Sequence, residues 1–354
     1  MSTQKQEQKS GSDSTNIQAG GDVNFGLSYG DLRQAVMDIF KANFYELSEA
    51  AKQLAMKRAE EITKSFLEEF LEKHAQHTTK LQEPGVQASL FEVQKAYAKT
   101  GDKELGQRLL AVMLQRVCSK ERSIRQIVLD EAIEVLPKLT DAEVKLLTLS
   151  VSATKIKYTD INSPRNFENF IKNALLKFFP DSITPAESSH LQYCGCFTLP
   201  MGMSKMYMSL GEYLGHRYRG LLTHGFTEEE FKVASDGREL DSLGDFVIKS
   251  LRDEHCYQFN AMFDAEFDNK LAKHSLGTTA TSLKNLWMRK AMTKEEVEAL
   301  LIEMDPRMKM LIYAWNRTIL SAMELTPVGY AIAAANFNHV MNGDIDFLTL
   351  TSMP

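Results

Sequence analysis

The stretch DLRQAVMDIFKANFYELSEAAKQLAMKRAEEITKSFLEEFLEKH, residues 31–74, decides the fold class. Its apolar residues Leu32, Val36, Phe40, Phe44, Leu47, Ala51, Ala55, Ala59, Ile62, Phe66 and Phe70 step by four and three, with four dominating. That spacing keeps one side of a helix apolar. The mean step is about 3.8 residues, longer than the 3.5 that winds a left-handed coiled coil, so helix-on-helix packing is expected and a leucine zipper is not. A helix running from about Asp31 to His74 is therefore predicted. Ala51, Ala55 and Ala59 form a small-residue stripe along it. The stripe reads as ordinary core, with a self-association face as the alternative.

Working outward, the sequence QEPG at Gln82–Gly85 breaks the pattern, and helices are predicted at about 86–99, 102–118 and 123–136. Their short connections imply an antiparallel helical unit. Thr140 and Glu143 form a capping box opening a helix through about Ser152, and Ser163-Pro164 opens another. HLQYCGCFTL (190–199) reads as a helix end running into a strand, and MGMSKMYMSLG (201–211) gives no clear element. Val247–Leu251 and Tyr257–Met262 read as strands. Helices follow at about 264–275, 280–291, 294–303 and 306–322. The segment ELTPVGYAIAAANFNHVMNG (324–343) is a strand turning into a helix. It resembles the return strand of a winged helix, with Tyr193–Leu199 as its partner and Leu325–Gly329 as the return, across a long insertion.

The composition is that of an ordinary soluble globular chain: 354 residues, 44% hydrophobic and 25% charged, with a net charge of −6 that provides no overall basic field for nucleic acid. A local basic patch stays open. Four cysteines make no disulfide framework, the start MSTQKQEQKS shows no apolar signal segment, and VGYAIAAANF is about half the ~20 apolar residues a bilayer requires. These features imply a reducing, cytoplasmic setting and no membrane span.

Catalytic motifs do not declare themselves. There is no Walker A loop, GxGxxG, GxSxG, HExxH or CxxC. His190, Cys194 and Cys196 are the nearest thing to a metal-ligand cluster, but the spacing is short and a fourth ligand is missing. In a strand, Cys194 and Cys196 would point the same way and simply be buried. His255-Cys256 lacks the spatial geometry a Cys–His pair needs. Glu143/Lys145, Asp268/Lys270 and Pro180-Asp181 read as solvated acidic positions. His216, Arg217 and Arg219 with Tyr213 and Tyr218 read as a loop surface, with phosphate contact as the alternative.

Before the first helix lies STNIQAGGDVNFGLSYG, residues 14–30. Alternation places Ile17, Ala19 and Gly21 on one side of an extended strand, and Gln18, Gly20 and Asp22 on the other. Stacked Asn and Gln amides form ladders, while stacked Asp22 residues repel. Ile17-Gln18-Ala19-Gly20 resembles the core of RHIM-type and related pseudo-palindromic amyloid signalling motifs, which implies assembly through Asn16, Ile17, Gln18, Ala19, Gly20, Val23 and Asn24. The competing reading is a flexible tail or a short docking β-arm. Asn16–Val23, Gly26–Tyr29 and Leu325–Ala333 together resemble an uncharacterised bacterial family of about this length. The C-terminal half is similar to Abi-alpha-type proteins of phage-defence neighbourhoods, which is a likeness of context.

The expected architecture is mainly α: a tail over 1–30, a helical bundle over 31–138 and an α+β, winged-helix-like domain over 139–354 with strands near 193–199 and 325–329. The expected role is that of a non-enzymatic bacterial interaction or signalling protein, in anti-phage defence by resemblance, that pairs with itself and with another protein and uses no cofactor. The alternatives are a nucleic-acid-binding regulator using the C-terminal half and an enzyme with no recognisable motif. A cleft gathering His190, Cys194, Cys196 and His216 would favour the enzyme.

Overall fold

The apolar stretch at residues 31–74 folds as two helices, α1 (Tyr29–Asn43) and α2 (Glu49–His74), not one. Ser48 is extended at φ −57° and ψ 151°, and its carbonyl accepts the amide of Lys52 at 2.9 Å, opening α2 with Glu49 in its first turn. The backbone leaves the helical region at Ser48, whose side chain makes no capping hydrogen bond, and Glu49 puts an acid in the first turn of α2, so the continuous apolar spacing does not yield one helix. The computed structural model describes residues 29–43, 48–156, 158, 160–180, 183–199, 208–274, 276–317 and 319–352. The assembly stretch at 14–24 lies outside them. Because the chain is interrupted, α1 packs on α2 and on the next helix. Met37 and Phe40 meet Ala55, Ala59 and Ala98 in a small cluster of their own. The alanine stripe is thus where α1 seats, with Ala51 half-buried at its end.

Helices α3 (Pro84–Thr100), α4 (Lys103–Val117) and α5 (Ile124–Val135) fall within a few residues of the predicted positions. Gly101 at φ +66° closes α3, while Asp102 and Ser123 accept the amides of Leu105 and Gln126, both at 3.2 Å, to open the next two. These are local devices, so sequence spacing finds them. The same holds for α6 (Asp141–Thr154), which has the full Thr140/Glu143 capping box, and for α7 (Pro164–Phe170), capped by Ser163. Helix α7 continues through a wider turn at Ile171–Leu175.

After α8 (Pro185–Tyr193), the strand β1 (Phe197–Thr198) is short, and Cys194-Gly195 precedes it as a turn, with Gly195 at φ +70°. Cys194 and Cys196 are therefore not on one strand: Cys196 is fully buried and Cys194 is half-buried at the helix end. Helix α9 (Leu210–Arg217) carries Tyr213, His216 and Arg217, while Tyr218 and Arg219 lie in the turn that follows, so the cluster is helical in part and not a loop throughout. The capping box of Ser209 with Glu212, hidden beside a Met-rich run, starts the helix.

Residues 222–292 leave and re-enter the body side by side. The amide of His224 donates to the Lys290 carbonyl at 2.9 Å, and that of Met292 to Leu222 at 3.0 Å. Between them lie α10 (Glu228–Ala234), the hairpin of β2 (Val247–Lys249) with β3 (Tyr257–Phe259), α11 (Asp264–Ala272) and α12 (Thr279–Arg289). This lobe has its own aromatic core of Phe226, Phe231, Phe246, Phe259, Phe267 and Trp287. Then come α13 (Lys294–Met304), α14 (Met308–Arg317) and β4 (Glu324–Leu325). Strand β4 pairs antiparallel with β1, with Phe197 opposite Leu325 and Thr198 opposite Glu324. The two short stretches singled out in the sequence thus meet across more than a hundred residues of chain.

Thr326 caps α15 (Pro327–Met341), and α16 (Phe347–Thr351) closes the described chain. Residues Ala331–Phe337 of α15 are all buried, and the helix packs on α4, α5 and α6. A helix apolar on every side belongs in a core, and its run of alanines lets three neighbours approach it. At its centre, Asn336 accepts from Arg108 Nε at 2.7 Å and donates to Thr148 Oγ1 at 2.8 Å, so its buried amide is paired at both ends. Arg108 continues to Asp141. The main core runs from Leu32 to Leu350, and the sequence division at 138/139 falls inside it. The fold is mainly helical with few, short strands.

Candidate functional site

Three side chains on two helices form a chain of hydrogen bonds beside β1. Cys194 Sγ lies 3.6 Å from His190 Nε2, and His190 Nδ1 lies 2.6 Å from Glu143 Oε1. His190 and Cys194 sit one turn apart at the end of α8, which brings both to the same side of the helix. Glu143 comes from the first turn of α6. Its other oxygen accepts the Thr140 amide at 2.7 Å and the Thr140 hydroxyl at 3.0 Å. Glu143 is only 1% exposed, whereas its sequence neighbourhood suggested a solvated acid. Glu143 thus holds the His190 ring by Nδ1, which turns Nε2 toward the thiol. Burial, followed by the nearby Glu143 charge, pushes the Cys194 thiol above its usual range.

Cys196 does not join the chain. Its sulfur is buried, and burial pushes its thiol up to about 12. Among the described residues, no three His, Cys, Asp or Glu side chains converge as metal ligands would. All four cysteines are free. His255 is exposed, while the Cys256 sulfur turns to Asp253 at 3.4 Å, so that sequence pair diverges. Lys145 pairs with Asp141, Lys270 with Glu266, and Asp268 with Lys284; Asp181 lies outside the described residues.

The basic and aromatic residues of α9 sit at the other end of α6, about 16 Å along that helix from Glu143. There they border a cleft of about 800 Å³ walled by Tyr158, Ile161, Met208, Tyr213, Tyr218 and Met262. Arg217 donates to the carbonyls of Ala153 at 3.0 Å and Thr154 at 2.9 Å, and also to that of Ile156. A cation closing a helix C-terminus is electrostatically favourable, and it commits this guanidinium. Arg219 pairs with Asp264 at 2.8 Å and donates to His216 Nδ1 at 2.9 Å. Both arginines are therefore engaged inside the protein, which leaves the cleft apolar and aromatic in character. Burial pushes the Tyr158 phenol up to about 12 and raises that of Tyr218, with Arg217 working against the latter. His216 is in this cleft and His190 is not, so the four residues proposed as an enzyme's signature do not gather.

A second, polar cleft of about 570 Å³ lies between α2, α4 and the end of α15. Several of its side chains are engaged: Arg125 with Asp346 at 2.6 Å, Lys73 with Glu69 at 2.7 Å, and His339 Nε2 with Glu104 at 3.3 Å. The role of Glu143 beside His190 was not legible, because nothing local in a capping box reveals a partner 47 positions downstream. Tyr158 likewise carries no local signal.

These features define a mainly helical protein with an inserted aromatic-cored lobe and a central helix whose middle, Ala331–Phe337, is buried on every side. A protein-family model described as “:-like” matches residues 26–350, and the chain belongs to that family. No curated protein and no solved structure matches it.

Proposed function

We propose that the chain is a bacterial interaction protein whose residues 14–24 pair between copies and whose helical body transmits that assembly to another protein. The observation that carries this reading is how the segment is attached. Helix α1 begins at Tyr29, five positions after Asn24, and is held by the buried residues Leu32, Val36, Met37 and Phe40. Whatever 14–24 pairs with is thereby coupled to the body through a short link. A polar, strand-patterned segment with no core of its own can add to another chain through its backbone groups. A defence setting rests on the sequence resemblance alone. Gln18→Pro removes one backbone donor and fixes φ while leaving the body untouched. Sedimentation velocity should show a higher assembly in the wild type and its loss in Gln18→Pro, and a peptide of residues 12–28 that binds thioflavin would specify stacking. Identical sedimentation of the two proteins would sink the idea.

A nucleic-acid-binding, winged-helix-like regulator is the second reading. It is supported by the β1–β4 pairing and by α13 and α14, which are joined across Asp305–Arg307. Helix α14 exposes Lys309, Met310, Tyr313 and Arg317. It ranks second because Glu295, Glu296 and Glu303 are exposed on the adjoining α13 and the net charge is −6. Duplex DNA anisotropy at low salt tests it. Binding weakened by Arg317→Glu supports this reading, and no binding removes it.

A further inference from the structure

The Glu143–His190–Cys194 chain is not used by the assembly reading, and its chemistry is specific. A thiol, an imidazole and a carboxylate that orients the imidazole are the parts of an activated cysteine. The surrounding backbone decides which reaction they can serve. The amide of Cys194 donates to the His190 carbonyl at 2.8 Å, that of Gly195 to Gln192 at 3.0 Å, and that of Cys196 to Leu191 at 3.0 Å. All three close the end of α8, so none of them is free to hold an oxyanion at the sulfur. Acyl transfer is therefore disfavoured. A helix C-terminus also presents carbonyls, which work against a standing thiolate. The thiol keeps its proton until His190 removes it. The reaction that suits such a pair has a small neutral electrophile whose leaving group needs that same proton.

We propose that Cys194 is a hydroperoxide-reactive thiol, with His190 as its base and Glu143 as the positioning residue. In the step, a sulfur lone pair attacks one peroxide oxygen and the O–O bond breaks. The thiol proton passes to His190 Nε2 and then to the departing oxygen, which leaves as water or an alcohol. Sulfur is oxidised to the sulfenic acid and the peroxide is reduced. His190 and Cys194 are both partly exposed, so the pair lies at the surface, where a molecule as small as a peroxide can approach. The groups facing the pair are Glu143 and Thr140 on α6, Cys196, and Lys138, whose charge opposes that of Glu143 at the thiol.

The test treats the full-length protein with hydrogen peroxide and follows each cysteine by mass spectrometry with a sulfenic-acid trap. Cys118 and Cys256 serve as internal references. Base assistance predicts that Cys194 oxidises at least about tenfold faster than either. In His190→Gln the rate should drop toward the references and rise only where free thiols ionise. Glu143→Gln should lower the rate while Thr140 still caps α6. A disulfide between Cys194 and Cys196 in the wild type would support the proposal, since it forms by way of the sulfenic acid. Oxidation of Cys194 no faster than Cys256, or an unchanged rate and pH profile in His190→Gln, would overturn it.

Discussion

Gly329→Ala tests a tight backbone join in the fold, between α15 and the turn before β1. A Cβ at this position would sit 2.0 Å from the Cys196 carbonyl oxygen and 3.0 Å from its carbon. Both are backbone atoms, so no side chain can swing aside. The same join carries two hydrogen bonds: the Thr326 amide donates to the Cys196 carbonyl at 3.0 Å, and the Thr326 hydroxyl donates to the Gly195 carbonyl at 2.6 Å. To admit a methyl, α15 must retreat from the turn by more than an ångström. Losing the two bonds costs about 1–3 kcal/mol. Overpacking adds about 1–3 kcal/mol. Alanine's better helix propensity returns about 1 kcal/mol. The expected net loss is about 3 kcal/mol, within a range of roughly 1–5 kcal/mol set by those terms. Urea unfolding followed by circular dichroism measures it. Gly195→Ala is the control: its Cβ meets nothing within 4 Å, so only the strain of φ +70° remains, about 1 kcal/mol. If Gly329→Ala is as stable as the wild type, or if Gly195→Ala costs more, the close approach of α15 to the Cys196 turn is not what fixes this glycine.

Ala55→Trp should destabilise the protein by about 1–3 kcal/mol by forcing Met37 and Phe40 of α1 off α2; unchanged thermal unfolding would mean that α1 does not seat there. Burial works to raise the Asp141 pKa, but Lys145 and Arg108 overcome it and hold the carboxyl below its usual value. That contribution is fully present above the unfolded carboxylate range near pH 4 and drains away as pH falls through the lower folded value. Asp141→Asn should therefore lower the urea midpoint at pH 7 and differ less from the wild type at pH 2.5, whereas a gap that widens in acid would refute the assignment. Arg217→Met should cost about 2–4 kcal/mol through the loss of charged hydrogen bonds to the end of α6; if it proves neutral to denaturant midpoint, the arginine is not closing that helix.

What could be read from the chain alone was local. Thr140 with Glu143 and Thr326 with Gly329 are i-to-i+3 pairs, and Ser163 stands directly before Pro164, so each helix start is encoded within four residues and appears in the structure where spacing places it. The apolar sides of α2 through α6 were legible for the same reason. Ser48 shows the limit of periodicity, since apolar residues stay in phase across a break and one helix is read where there are two. Spacing also names an apolar face without naming what covers it: the alanines of α2 receive α1, a choice made in three dimensions. Residues Ala331–Phe337 of α15 are buried on every side, so that stretch has no polar face for periodicity to detect; its central position follows from α4, α5 and α6 closing around it. Likewise, His190 and Cys194 stand out in the sequence only as members of a metal-like cluster with Cys196; α8 sets them one turn apart, and Glu143 reaches them only because α8 returns to the start of α6. Local hydrogen bonds are written in sequence spacing, whereas the partner of a buried charge or an all-apolar helix is selected by how distant segments exclude water together.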